Sequence, residues 1–362
     1  MKLSFCTMPL HPVGRDYRTT LREDREAILL ADALGYAEAF VGEHVTDLAE
    51  TVTSTLMFLA SLAYETRQIR LASGTVNLPN AHPAAVAAQV AMLDHMCDGR
   101  FIFGISPGGL RSDAEIFGNL GRDRHAMARE AIAQVLAIWA GDAPYDLNGE
   151  FWQISTARTL DREIGQGLIL KPLQQPHPPI AVACMSPGSN SVAEAARQGW
   201  SIVSANFLQP TWLPSHWARM EEGAAAGGRA PCVADWRVAR SIFVGRTRAE
   251  AKAYAHSVAG PYGQYYRSLM RKLIGNGRPE LFKGDPVMPD AAITLEYVLD
   301  SLVICGTADE VSDAILALRE RVGDFGTLVY AGHDWADADA ARRSMRLMAE
   351  EVMPRVNAAL GA

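Results

Sequence analysis

The sequence predicts an α/β chain folded as a (β/α)8 TIM barrel, and three observations carry that expectation. The first is the stretch Ile69 to Gly109, IRLASGTVNLPNAHPAAVAAQVAMLDHMCDGRFIFGISPGG. It reads as strand, short loop, helix, strand and glycine-rich loop, by the length and type of its apolar runs. A connection of this kind crosses over right-handed into parallel pairing. The second is that eight strand–helix alternations follow one another along the chain, the order of an α/β barrel. The third is that no GxGxxG opens a helix after the first strand. The competing open sheet for a dinucleotide lacks its fingerprint.

Taken in order, Lys2–Met8 (KLSFCTM) is the first strand, followed by a loop, Pro9–Tyr17. Thr19–Leu34 alternates charged and apolar residues at helical spacing and stops at Gly35, a helix C-terminal signal. Glu38–His44 is the second strand, and a helix from Val52 to Glu65 precedes the third. Ala84–Met96 is the crossover helix, with Pro83 at its start, and Phe101–Ser106 the fourth strand. A loop, Pro107–Arg122, and a helix, Arg124–Ala140, follow, then a hairpin-like excursion over 143–173. Strands over Pro179–Met185, Ser201–Phe207 and Trp236–Gly245 alternate with helices over Asn190–Gln198, Leu213–Ala226 and Arg248–Val258. Gly260–Ala291 breaks the rhythm with glycine and proline and reads as a mobile lid. Ser301–Gly306 is a short strand or an extended loop. Ala308–Val322 is a helix, Gly326–Gly332 the final strand, and Asp337–Leu360 a closing helix interrupted near Pro354. The expectation is therefore one domain over 1–362, with insertions after strands 4 and 7.

A chain of 362 residues, 49% hydrophobic and 21% charged, has the apolar mass for one large core. The net charge of −7 comes without a basic block, which argues against nucleic acid. No run approaches the roughly eighteen apolar residues of a membrane span, and the N-terminus lacks a secretory signal. Cytoplasm is the default. The five cysteines are scattered, with no CxxC pair, and read as buried free thiols rather than disulfides or a zinc site.

Barrel active sites lie at the C-terminal strand ends. There the chain places Met8 and His11, Glu43 and His44, Gly74 to Asn77, Ser106 to Gly109, Ser186 to Ser189, and His333 to Trp335. Ser186-Pro187-Gly188-Ser189-Asn190 fits a phosphate cradle, since glycine admits an anion and a helix N-terminus supplies amides. It fits a plain N-cap equally. His44 suits a general acid or base, imidazole titrating near neutrality, or a hydrogen-bonded structural histidine. Glu43, His44, His333 and Asp334 have no metal-ligand spacing, so no metal is expected. Arg100, Arg122, Arg124 and Arg129 are candidates to reach an anion. Asp94 and Arg100 are expected to pair and tie helix to strand.

At these residues the chain resembles the bacterial luciferase-like flavin monooxygenases, over essentially its whole length. The likeness rests on GEH (Gly42–His44), on Asn77–Ile105 and on CMSPGSNSVAEAARQGWSIVS (Cys184–Ser204). Ser106–Gly118 and Gly326–Asp334 bring it nearest the limonene and diketocamphane (type II Baeyer–Villiger) branch. The resemblance implies a dimeric barrel that binds FMN, taken as FMNH2 from a separate NAD(P)H:flavin reductase. With O2 this forms a C4a-(hydro)peroxyflavin that inserts one oxygen atom into a small apolar ketone, terpene or aldehyde. It further implies His44 as the catalytic histidine, a non-prolyl cis peptide at Gly74-Thr75, and Asn77 and Ser106 beside the flavin. Ser186, Gly188 and Ser189 would hold the phosphate, and Met8, His11, His333 and Trp335 would face substrate. Pro107 stands where luciferase has a phosphate-binding arginine, so another cation, Arg124 or Arg129, must serve or FMN binding is weak. Val45 replaces luciferase's second histidine, so light emission is not implied. The alternatives are an F420-dependent oxidoreductase of the same superfamily, or a flavin-binding protein without catalysis.

Overall fold

The computed structural model describes residues 1–8 and 10–361; Pro9, which opens the expected Pro9–Tyr17 loop, and Ala362 lie outside them. Eight parallel strands close into a barrel: Lys2–Thr7, Glu38–Val41, Arg70–Ser73, Phe101–Ser106, Ile180–Cys184, Ser201–Ser204, Trp236–Val244 and Thr327–Gly332. Each pairs with the next, and the last pairs with the first from Lys2↔Thr327 to Thr7↔Gly332. Helices cover the outside, so outward strand residues such as Phe5, Leu71, Phe103 and Val238 join the helix faces in one large core.

Inside the barrel the layers are small and distinct. The lower layer holds an ion pair: Arg237 Nε and Nη2 each donate to Glu38 at 2.6 Å, and Ser4 Oγ donates to the same carboxylate at 3.2 Å. Above it Phe40, Ala72, Ile102 and Ala181 pack with Cys6 and Val203. Higher still the packing opens: Gly74, Ser106, Met185 and Ala205 are half-buried and Ala183 is exposed, although it lies within a strand. The C-terminal mouth is a cleft.

Several local expectations change. The helix expected over 52–65 is confined to Thr55–Ala60. Beyond it, Arg100 donates to the carbonyls of Ala63, Thr66 and Ile69, which fixes that segment as a turn. Arg100 therefore does not pair with Asp94, whose carboxylate accepts from Gln174 N at 2.8 Å and Gln174 Nε2 at 2.7 Å. The excursion after the fourth strand contains a two-stranded hairpin, Asp146–Asn148 with Gln153–Ser155. Gly260–Ala291 is mostly not loop: Pro261–Gly275 is a helix that buries Tyr262, Tyr265, Tyr266 and Leu269 on one face. That is amphipathic spacing, with proline at the first position where its missing N–H costs nothing. Val303–Gly306 is a strand outside the barrel, paired with the far end of the long seventh strand. The closing helix passes through a π-helical turn at Met348–Val352 just before Pro354. The cysteines are free, and Cys232 is exposed rather than buried.

Candidate active site

The third and fourth strands build the first wall of the cleft. They approach so closely that a Cβ on Gly104 would lie 1.8 Å from the Ser73 carbonyl oxygen. Beyond Ser73 the Gly74-Thr75 peptide is cis, and the Gly74 amide donates to Val41 O at 2.7 Å. Thr75 Oγ1 then donates to Ser106 Oγ (2.7 Å), Ser106 Oγ to Asn77 Oδ1 (2.9 Å), and Asn77 Nδ2 to Glu43 O (3.2 Å). The Gly108 amide closes back on Ser106 Oγ at 3.1 Å, and Arg124 holds the Gly108 carbonyl at 2.7 Å. These hydroxyl and amide groups form one cradle, set by the strand register Asn77↔Ser106.

The opposite wall is the loop after the fifth strand. Gly188 adopts φ +57°, a left-handed turn that favours glycine, and Ser189 caps the helix Asn190–Gln198 by accepting from Ser191 N at 3.3 Å. Ser215 Oγ accepts the Gly188 amide at 2.9 Å, and Arg219 donates to the Gly188 carbonyl at 3.1 Å. Beneath, Trp236 Nε1 donates to Ser204 Oγ (2.9 Å), Ser204 Oγ lies 2.8 Å from His216 Nδ1, and His216 Nε2 lies 2.8 Å from Ser186 O. A carbonyl only accepts, so His216 carries its proton on Nε2 and Ser204 donates to Nδ1. Burial holds this imidazole below its ordinary range, hence neutral. Arg278 Nη2 donates to Ser186 Oγ at 2.7 Å, bringing a cation to the loop from beyond the helix Pro261–Gly275.

His44 sits beside the cradle, one residue after Glu43. Its Nδ1 lies 2.9 Å from Asp113 Oδ2 and its Nε2 3.4 Å from Glu50 Oε2. Asp113 also accepts from the Thr46 amide at 2.9 Å and Thr46 Oγ1 at 2.6 Å. Lys272, from the helix Pro261–Gly275, joins Glu50 at 2.6 Å and contacts Asp47. Burial disfavours a charged His44, but Glu50 and Asp113 outweigh it and, against repulsion from Lys272, raise its pKa above the ordinary value. Burial likewise works against the Asp113 carboxylate, and its bonds to His44 and Thr46 more than offset this, leaving the pKa lowered.

The remaining expected contacts are placed as follows. His11 is buried, with Nδ1 2.7 Å from Asp334 and Nε2 3.1 Å from Asp24, so neither ring nitrogen is free. His11, Glu23 and Asp334 bring ligand atoms within 4.8 Å of one another, but Arg15 spans the two carboxylates and supplies the positive charge there. His333 stacks on Tyr265 at 4.1 Å and lies 3.0 Å from Ser241 Oγ. Burial pushes its pKa down to about 3. Trp335 is buried under Arg342, on the outer side with Phe5 and Met345. Met8 is half-buried at the mouth, 3.4 Å from Tyr265 Oη. Of the arginines, Arg122 lies over the Phe151 ring, Arg129 is exposed, and Arg124 alone touches the cradle loop.

Residues 1–324 match the luciferase-like monooxygenase family profile. The chain belongs to that family. It is 32% identical to 4-hydroxyprotoasukamycin monooxygenase of Streptomyces nodosus subsp. asukaensis, over 97% of this chain and 91% of that one. It is 30% identical to limonene 1,2-monooxygenase of Rhodococcus erythropolis, over 98% and 86%. Among solved structures it resembles the oxygenating constituent of 3,6-diketocamphane monooxygenase of Pseudomonas putida in complex with FMN. The TM-score there is 0.87 at 26% identity, covering 98% of both chains.

Sequence reasoning did not single out Asp113, Glu50, His216, Lys272 or Arg278. Asp113, His216, Lys272 and Arg278 act across long separations in the chain, whereas Glu50 stands six residues after His44; Asp113 lies in the loop after the fourth strand, and Lys272 and Arg278 lie in the segment read as a lid.

Proposed function

We propose that this family member is the oxygenating half of a two-component enzyme. It receives reduced FMN from a separate NAD(P)H:flavin reductase and places one atom of O2 in a small apolar ketone, terpene or aldehyde. The observation that carries the reading is the meeting of a polar cradle and an apolar roof at one barrel mouth. A Cβ on Gly109 would lie 3.6 Å from Met185 Cε, and Met185 and Met8 pack against the apolar cluster that holds Phe207, Tyr265 and Phe282. The likeness to a chain named as an oxygenating constituent supports the division of labour.

The residues present fit a flavin. Gly74, Thr75, Asn77 and Ser106 offer backbone, amide and hydroxyl groups to a polar ring edge. Ser186, Gly188 and Ser189 suit the phosphate, and Arg278 is the cation that stands in for the arginine missing at Pro107. Reduced FMN, when bound, supplies the electrons and the oxygen-activating centre that no side chain provides. His44 supplies a proton beside it, kept in place by Asp113 and Glu50. The tyrosine face of the helix Pro261–Gly275 covers the mouth and excludes water. Met57, Tyr64 and Met92, exposed on neighbouring segments, suit a homodimer interface, checked by light scattering. Among the described residues no helix is long and apolar enough to cross a membrane.

The test supplies purified protein with FMN, NADH and a flavin reductase under 18O2, across cyclic ketones, terpenes and aldehydes. One 18O atom in an organic product, with peroxide a minor fate of the electrons, is the expected result. Peroxide alone throughout, or binding of F420 in preference to FMN, overturns the reading. Arg278→Ala should weaken FMN about tenfold, the loss of about 1.4 kcal/mol expected for one charge-assisted contact, while riboflavin, lacking phosphate, binds as before.

A further inference from the structure

We propose that a crevice behind the seventh barrel strand is a second ligand site, built for a small monocarboxylate with an apolar tail. At its floor is Arg240. Alternation along Trp236–Val244 sends Arg237 inward to Glu38 and Arg240 to the opposite face, under the helix Ala308–Val322. The side chain is almost wholly buried, at 2% exposure. Nη1 donates to three backbone carbonyls, Leu208 at 3.0 Å, Ala239 at 3.1 Å and Asn206 at 3.3 Å. Nε and Nη2 have no hydrogen-bond partner among the described residues and are themselves closed off from the open crevice, so the guanidinium acts on a ligand there through its uncompensated charge.

Buried guanidinium groups are ordinarily met by a carboxylate, because an uncompensated charge in the interior is costly. No aspartate or glutamate among the described residues pairs with Arg240. The charged side chain that acts on it is another cation, Arg321, which lines the same crevice and is exposed at its rim. Burial lowers the Arg240 pKa to about 10, so it stays charged at neutral pH. Two positive groups with no negative one define what is missing: an anion.

The walls select which anion. They are Leu302, Ile304, Ala314, Ala317 and Leu318, around a cavity of about 220 Å³. An apolar cavity of about 150 Å³ accepts benzene, so this one has room for a carboxylate carrying about five carbons. A compact inorganic anion would leave those walls bare, and an alcohol would leave the guanidinium charge uncompensated. The chemistry therefore favours one head-group charge and an aliphatic tail.

The experiment is calorimetric titration of the full chain with hexanoate, hexanol and inorganic phosphate. Hexanoate is expected to bind one to one, with hexanol and phosphate at least tenfold weaker. Arg240→Met should weaken hexanoate at least tenfold. Ala317→Trp, at an exposed helix position, should block entry while leaving the thermal melt of the free protein unchanged, so it decides the matter if Arg240→Met does not fold. The proposal is overturned if hexanoate does not bind, if hexanol or phosphate matches it, or if binding survives Ala317→Trp, which would place the ligand at the barrel mouth instead.

Discussion

His44 shows how a side chain acquires its charge from its neighbours in space, one six residues away in the chain and the other sixty-nine. Asp113 and Glu50 favour imidazolium more than burial opposes it. Its titration, followed by NMR, should therefore lie above the usual 6.5, and Asp113→Asn should lower it. A raised folded-state pKa means that the stability His44 contributes is fully present below 6.5 and is lost as pH rises through the higher value. His333 and His216 should behave oppositely, since burial moves both below the usual value, His333 to about 3. Replacing His44 by alanine should cost about a hundredfold in coupled turnover, the usual worth of a positioned proton donor, and undiminished, coupled turnover would remove it from the mechanism. Glu38 plays a structural counterpart. Glu38→Gln leaves Arg237 charged and unmatched inside the barrel, which should cost about 3–5 kcal/mol in urea unfolding.

At the scale of elements, the helix Pro261–Gly275 links lid and site. Tyr265 donates to Asn206 Oδ1 at 2.9 Å, Tyr262 to Ile242 O at 2.5 Å, and Lys272 bridges to Glu50. Lys272→Met removes the tether and a charge that opposes His44 ionisation. The variant should raise the His44 pKa further and divert more electrons to peroxide, read by NMR and by peroxide assay on the same preparation. Between the third and fourth strands the constraint is steric. A methyl at Gly104 would collide with the Ser73 carbonyl, so Gly104→Ala should cost roughly 3 kcal/mol, the upper range for overpacking, or abolish soluble expression.

Across the whole molecule, buried and half-buried carboxylates lie under opposed influences. Burial opposes ionisation of both Glu38 and Asp32, but Arg237 for the one and the amides of Ile69, Gln68 and Arg67 for the other more than offset it, lowering both pKa values. Their stability is present above the ordinary carboxylate range and is lost as pH falls through the depressed values. Asp24 and Glu43 are raised, chiefly by burial, and their contribution is instead lost as pH rises through the raised values. Acid unfolding should therefore be steep below about pH 4 and flatter in Glu38→Gln, as urea midpoints against pH would show. Strand, helix and order were legible in the chain because apolar period and run length act locally. That Gly74 to Asn77, Ser106 and the Ser186 to Ser189 loop stand together at the C-terminal strand ends was legible from strand order. The secondary structure of the lid segment was not legible: glycine and proline between Gly275 and Pro289 suggested a loop, whereas the tyrosines before them lie on a helix. Partnership was not legible either. That His11 is held by Asp24 and Asp334, that Arg278 reaches Ser186, and that Arg240 meets no counter-charge among the described residues depend on which residues the fold brings together. The sequence alone determined the barrel and the place of its mouth, since both follow from local pattern and strand order. The tertiary structure alone decided charge, tautomer and vacancy of partner, because electrostatic energy depends on distance in space and not along the chain.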